Sequence, residues 1–238
     1  MAEYYKAYDE IYKKVKESGA GICGTSENDP FVASTLEKWV NENALAGKSV
    51  LQCACGEGSE GIILSRLGCL YWGTDVSVAA VNIARHRLEK YSGARIFFMD
   101  MVKNGIAGKY DGIVDCRGLQ MLVTDDDRRK YLENIYSATK DGASAIFIRE
   151  FCDDNAFPGE VGSMDEWKSI SGLDCETPEE QTIGGKPLML PRIPERSKSR
   201  EGYIKELEAV GFKVESFERD EDGLATFVAR KRRKRRKQ

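Results

Sequence analysis

Short apolar runs and amphipathic stretches alternate along most of this chain. Strand-like runs fall at residues 49–54 (SVLQCA), 70–76 (LYWGTDV), 94–101 (ARIFFMDM), 110–116 (YDGIVDC) and 143–150 (ASAIFIRE). Helical spacing occupies 60–67, 78–91 and 126–139 between them. Gly68 is placed to stop the first of these helices and Ser77 to cap the second. Upstream, Tyr4, Tyr5, Tyr8, Ile11, Tyr12 and Val15 share one face of a helix predicted over 3–17. A glycine-rich break over 18–30 separates it from a second helix at 31–43. The pattern lapses from 151 to 198, then resumes as a helix at 199–209 and strands at 212–218 and 224–230.

Strands alternating with helices predict an α/β fold, a mostly parallel sheet of seven strands with helices on both faces. The tight turn at 219–223 makes the last two strands an antiparallel hairpin at one edge. This divides the chain into an N-terminal helical cap (1–45), a sheet domain (46–230) and a basic tail (231–238). Residues 151–198 are too long for an ordinary connection inside a compact domain. They are read as a cover over the substrate, with Trp167, Met189 and Leu190 as its apolar contacts.

Composition adds three constraints. No apolar run approaches the roughly 18 residues of a membrane span, and the N-terminus lacks a secretion signal's apolar stretch. Seven cysteines without framework spacing fit a reducing compartment, so a cytoplasmic location is expected. Net charge is −3, yet residues 230–237 read RKRRKRRK, Arg230 opening the run and Lys237 closing it. That leaves 28 basic against 39 acidic residues elsewhere. An acidic body argues against a broad nucleic-acid face, while the tail is either a docking patch for anionic partners or a solvated end.

The chemistry concentrates at successive strand ends. VLQCACGEGSEG (50–61) leads a strand through Gly56 and Gly58 into a helix, and these glycines allow close backbone approach to a ligand. Strand two ends in an acid, Asp75, followed by Val76. An acid there suits the two hydroxyls of an adenosine ribose. Strand three ends in Met99-Asp100-Met101, where the carboxylate suits an adenine amine and Met101 the ring.

In these stretches the chain resembles the class I S-adenosylmethionine-dependent methyltransferases, over residues 49 to about 150 and again in the closing helix and strands. The resemblance implies a Rossmann-like fold. It also implies S-adenosylmethionine as cofactor and S-adenosylhomocysteine as product. Gln52, Ala54, Gly56, Gly58, Asp75, Val76, Asp100, Met101 and Asp115 would then line the cofactor site. KYDGIVDCRGLQML resembles the family's fourth motif, and with DDRRKYL it is most similar to small-molecule methyltransferases of the thiopurine, thiol-halide and tellurite-resistance kind. An Asn-Pro-Pro-aromatic motif is missing after strand four, which counts against methylation of base or glutamine amino groups. Two positions depart from the family: Gln52 stands where an acid is usual, and Ala54 where glycine is usual. Ala54 is tolerable with a negative φ, and Gln52 is expected to hydrogen-bond the glycine loop from beneath.

Methyl transfer from an activated sulfonium needs alignment more than acid–base machinery, and no metal motif is present. Asp115, Arg117 and Glu150 are the candidate catalytic residues: either acid to take a proton or hold an amine, Arg117 to pair with an anionic substrate. The plain alternatives are that Asp115 satisfies loop amides and Glu150 bonds to a neighbouring loop. Cys23, Cys55, Cys116 and Cys152 are expected near the same sheet edge, as small hydrophobes or as soft ligands for a metalloid. The tyrosine-bearing first helix is either a lid or a packing helix. His86, between Arg85 and Arg87, is expected to be solvated. A small-molecule acceptor is the expected partner of a monomer or homodimer; an RNA or protein acceptor docked through the tail is the alternative, as is a non-catalytic cofactor-binding protein.

Overall fold

A computed structural model describes residues 4–23, 26–175 and 177–233. A 3₁₀ turn (Tyr4–Ala7) leads into α1 (Tyr8–Ser18), and α2 (Pro30–Glu42) precedes the sheet. Then come β1 (Ser49–Cys53), α3 (Ser59–Arg66), β2 (Leu70–Asp75), α4 (Val78–Leu88), β3 (Ala94–Phe98) and β4 (Tyr110–Cys116). A second 3₁₀ turn (Leu119–Met121) is followed by α5 (Asp125–Ala138) and β5 (Thr139–Phe151). The chain continues through α6 (Met164–Ser171), β6 (Glu179–Ile183), β7 (Lys186–Leu190), α7 (Arg200–Ala209), β8 (Phe212–Arg219) and β9 (Leu224–Lys231).

The helix starts follow from their caps. Asp29 accepts from the amides of Phe31 and Val32, with Pro30 at the first helical position of α2. Ser77, Thr124, Ser163 and Ser199 cap α4, α5, α6 and α7 in the same way. Val32, Leu36, Trp39 and Val40 put one buried stripe of α2 on the sheet. There Trp39 Nε1 donates to Ser144 Oγ at 3.0 Å, satisfying the one polar atom of a buried indole.

The main sheet has the order β3-β2-β1-β4-β5-β9-β8, and β9 alone runs opposite to the other strands. Strand order reverses between β1 and β4, which opens a crevice at their carboxyl ends. Side-chain alternation divides the core in two. Leu51, Cys53, Ile113 and Phe147 face one layer, and Val50, Val114, Ile146 and Ile148 face the other.

The expected fold class is thereby found, with two differences in the segments outside its core. The closing hairpin forms one edge as expected, with β9 its inner strand beside β5 and β8 its outer one. Every second residue of β9 is buried, whereas most of β8 is exposed, so burial selects the more apolar strand for the interior. Residues 151–198 are not structureless, since they hold α6 and the β6–β7 hairpin turning at Gly184-Gly185. Glycine pairs between strand-like runs signal such turns. The hairpin is stable because Ile183, Leu188 and Leu190 pack against Ile11 and Val15 of α1. The tail also begins later than expected. Lys231 belongs to β9 and is buried, donating to the carbonyls of Tyr136 and Thr139. The end of the basic run, residues 234–238, lies outside the described residues.

Candidate functional site

A pocket opens at the carboxyl ends of β1, β2 and β4, at the point where strand order reverses. Its first wall is the loop after β1, which turns through Ala54, Gly56 and Gly58 at φ of 49°, 51° and 80°. Ala54 corrects the expectation of a negative φ. The turn from strand into loop demands a left-handed residue, and alanine adopts it at a cost of roughly 1–2 kcal/mol. The lack of a side chain at Gly56 matters separately, because a Cβ there would lie 2.8 Å from Tyr12 Oη.

Asp75 ends β2 almost fully buried. Its carboxylate accepts from the amides of Gly56 and Ser77, both at 2.8 Å. Burial raises its pKa, and those amide bonds oppose the rise. Two carboxylate oxygens offer about four acceptor directions, so capacity remains toward the pocket. Asp100 lies in the turn after β3, where Val102 N–H donates to it at 3.1 Å. Tyr5 Oη at 3.3 Å and Lys6 Nζ at 3.2 Å also reach its carboxylate. Val76, Met99 and Met101 supply apolar wall between the two acids.

Gln52 is fully buried beneath this wall rather than on it. Tyr71 Oη donates to its carbonyl at 2.6 Å, and its amide donates to Glu60 Oε2 at 2.9 Å. Gln52 therefore braces α3 against β2 instead of bonding the glycine loop directly. Glu60 lines the pocket, and burial raises its pKa. The carboxylate missing from position 52 is thus present nearby on the first turn of α3. Sequence reasoning missed Glu60 because an acid at a helix start reads as a response to the helix dipole.

The third wall follows β4. Cys116, Arg117 and Gly118 reach the pocket, with Gln120, Met121 and Leu122 from the 3₁₀ turn. Arg117 is held at φ 60°, its amide donating to Ile148 O at 3.1 Å. Asp115 and Glu150 do not reach the pocket wall; they form a buried pair beneath it. Asp115 accepts from Gly118 N–H at 2.6 Å and from Tyr131 Oη at 2.8 Å. Glu150 Oε2 accepts from Gln120 N–H at 2.7 Å. Its other oxygen is buried with no hydrogen-bond partner, while the Glu150 and Asp115 carboxyls as groups interact. Burial lifts Asp115 to about 6, and burial with the Asp115 charge lifts Glu150 further above its ordinary value. One shared proton satisfies that geometry, so the two acids act on the wall through Tyr131 and the 118–120 backbone. The loop-satisfying alternative fits both acids better than direct contact with a substrate.

The roof comes from both ends of the chain. Tyr5, Tyr8 and Tyr12 line the pocket, joined by Ile22 and Cys23. Asp9 ties α1 down by accepting from Ser77 Oγ at 2.8 Å and Ala79 N–H at 2.9 Å. Tyr4 Oη donates to Asp127 and accepts from Val123 N–H. Among the described residues of the long segment, only Phe151 and Glu195 reach the pocket. Trp167, Met189 and Leu190 do not: Trp167 packs on Val123 and Val161, Met189 is 56% exposed, and Leu190 supports α1. The hairpin spends its apolar face on the roof's outer side.

Three of the four cysteines meet here. Cys23, Cys55 and Cys116 line the pocket, while Cys152 lies apart in a bridge with Lys198. Burial pushes the Cys23 thiol up to about 11 and raises the other two, so all three are protonated thiols at neutral pH. Among the described residues no cluster of three or more His, Cys, Asp or Glu is placed to hold a metal. His86 is 81% exposed and pairs with Glu89.

Comparison with known proteins places this architecture. Residues 51–145 match the family described as a methyltransferase domain. A ubiquinone biosynthesis O-methyltransferase of Acinetobacter baylyi is 30% identical over 115 residues, covering 46% of this chain and 47% of that protein. The chain thus matches about half the length of this curated relative. Among solved structures, an S-adenosylmethionine-dependent methyltransferase from Clostridium acetobutylicum superposes with a TM-score of 0.64 at 16% identity, covering 97% and 100% of the two chains. A TehB-like methyltransferase from Corynebacterium glutamicum gives 0.59 at 17%, covering 96% and 98%. Magnesium protoporphyrin IX methyltransferase from Synechocystis, which holds S-adenosylhomocysteine, gives 0.58 at 16%, covering 94% and 92%. Residues 51–145 thus carry the match to a methyltransferase domain, and the sheet built around them has the Rossmann-like fold of these solved methyltransferases.

Proposed function

We propose that this protein transfers a methyl group from S-adenosylmethionine to a small-molecule acceptor. One observation supports the small-molecule reading: Tyr5, Tyr8, Tyr12 and Glu195, from both ends of the chain, line the same pocket as the strand-end acids and narrow it.

The residues present fit the cofactor. Asp75 keeps acceptor capacity for ribose hydroxyls, and Met99 and Met101 offer apolar contact beside Asp100. When bound, the cofactor supplies a methyl carbon already activated by its sulfonium sulfur. The protein's own part is to hold the acceptor in line with that carbon and to exclude water. The tyrosine roof serves the second purpose. Arg117, aimed into the pocket from a strained backbone, serves the first. Seven free cysteines support a reducing compartment such as the cytoplasm.

Titration calorimetry with S-adenosylhomocysteine tests the cofactor half of this reading. Binding to the purified protein is expected, and Asp75→Ala should weaken it at least about tenfold, as charge-assisted bonds worth roughly 1.5–3 kcal/mol each are removed. Unchanged affinity in that variant would remove Asp75 from the site.

A further inference from the structure

At the acceptor end of the pocket, two opposite charges face the same space without meeting. Among the described residues, no hydrogen bond or ion pair engages the Arg117 side chain, and its Nε is buried without a partner. Glu195 lines the same pocket, half-buried, with no hydrogen bond or ion pair of its own. The two sense each other electrostatically but do not close into a bridge. Burying a guanidinium nitrogen without an acceptor costs free energy, which a ligand that supplies an acceptor would recover. Arg128 grips Glu206 at 2.8 Å, while Arg196 and Arg149, whose Nε atoms are likewise without a partner, place a terminal nitrogen on Asp125 at 2.9 Å and on Asp29 at 2.7 Å. Arg117 differs in that no hydrogen bond or ion pair among the described residues engages any part of its side chain, and like Arg149 it is held in a left-handed conformation that non-glycine residues rarely adopt.

We infer that Arg117 and Glu195 form the acceptor subsite, for a small carboxylic acid that also carries a hydroxyl or amine nucleophile. This rests on the methyltransferase reading above. The planar fork of Arg117 matches a carboxylate in bidentate fashion. Tyr8 and Met121, which hydrogen-bond to each other at the pocket wall, offer the apolar body of such an acid a surface. Glu195 then faces the nucleophile. In the transfer, the nucleophile's lone pair forms the bond to the methyl carbon. The carbon–sulfur bond breaks with its electron pair going to sulfur, and the nucleophile's proton passes to the Glu195 carboxylate. Burial makes Glu195 more basic than an ordinary glutamate, which suits it to that proton. The deeper acids Asp115 and Glu150 are then free to hold the wall, as their position requires.

The test uses the full-length protein saturated with S-adenosylhomocysteine. Salicylate and anthranilate are titrated by calorimetry against their decarboxylated counterparts, phenol and aniline. Both carboxylates are expected to bind, and Arg117→Met to weaken them at least about tenfold, the loss of a charge-assisted bond. Affinity for S-adenosylhomocysteine should be unchanged in that variant. Comparing salicylate with anthranilate in turnover separates oxygen from nitrogen nucleophiles. Glu195→Gln should keep both affinities within about twofold and lose roughly a hundredfold in turnover, a usual size for proton-transfer catalysis. Failure of either carboxylate to bind better than its counterpart, or unchanged binding in Arg117→Met, overturns the subsite. Unchanged turnover in Glu195→Gln overturns the proton acceptor. Failure of S-adenosylhomocysteine itself to bind would instead count against the methyltransferase reading.

Discussion

Single residues at this site are judged by what their polar atoms touch. Gln52 was a candidate for the cofactor wall, yet it spends both ends of its amide on Tyr71 and Glu60. Substituting Asp there removes the donor to Glu60 and sets two buried carboxyls against each other. Gln52→Asp should therefore lower stability by about 1–3 kcal/mol, read as a fall in thermal midpoint at neutral pH. A midpoint unchanged there would show that the Glu60 contact carries no energy. The Asp115–Glu150 pair gives a second residue-level test. Asp115 has a folded pKa of about 6 against 3.8 when exposed, so the folded state binds more protons between those values. Its contribution is then favourable at low pH and fades as pH rises from about 4 to about 6. Glutamine mimics a protonated Glu150, donating to Asp115 while accepting from Gln120 N–H. Glu150→Gln should hence change stability at neutral pH by less than about 0.5 kcal/mol, whereas Glu150→Ala should cost several times that. Equal losses in the two variants, from denaturant titrations, would refute proton sharing.

At the scale of elements, close approach decides what is tolerated. α3 lies so near β2 that a Cβ on Gly61 would sit 2.5 Å from the Tyr71 ring. Tyr71 cannot move without breaking its bond to Gln52. Gly61→Ala should consequently cost about 1–3 kcal/mol, the usual range for overpacking. Chemical denaturation measures it, and a neutral result would mean that α3 can shift freely. The roof helix α1 is attached differently, through Asp9 to Ser77 and Ala79 and through apolar contact with β7. Asp9→Ala should speed amide exchange in residues 8–18 and leave the sheet protected, because only the anchor is lost.

For the molecule as a whole, the question is whether the basic end recruits a macromolecule. Arg230 and Lys231 are already committed, the first to Gly142 O and Glu215, the second to two carbonyls. A deletion intended to remove only the tail must therefore start after Arg233. That truncation should leave the thermal midpoint and S-adenosylhomocysteine affinity unchanged. If a salt-dependent mobility shift with RNA appears for the full chain and vanishes on truncation, the tail is a docking segment. No such shift is expected from a body with 39 acidic residues. No described helix is long and apolar enough to cross a membrane.

What the sequence determined by itself was whatever depends on local pattern. Alternating apolar runs and capped helices require an α/β sheet, and Gly56, Asp75 and Asp100 at consecutive strand ends must converge once those strands lie parallel. Tertiary structure alone decided the rest. Asp115 and Glu150 follow the same strand-end rule as Asp75 but point beneath the wall, because Tyr131 and Gln120 come from other elements to meet them. Glu60 and Glu195 gain their surroundings from segments distant in the chain, so nothing beside them in sequence distinguishes them from ordinary solvated acids. Local spacing fixes the direction in which a strand end points; burial, and what is left unpaired within it, depends on contacts that only the folded chain makes.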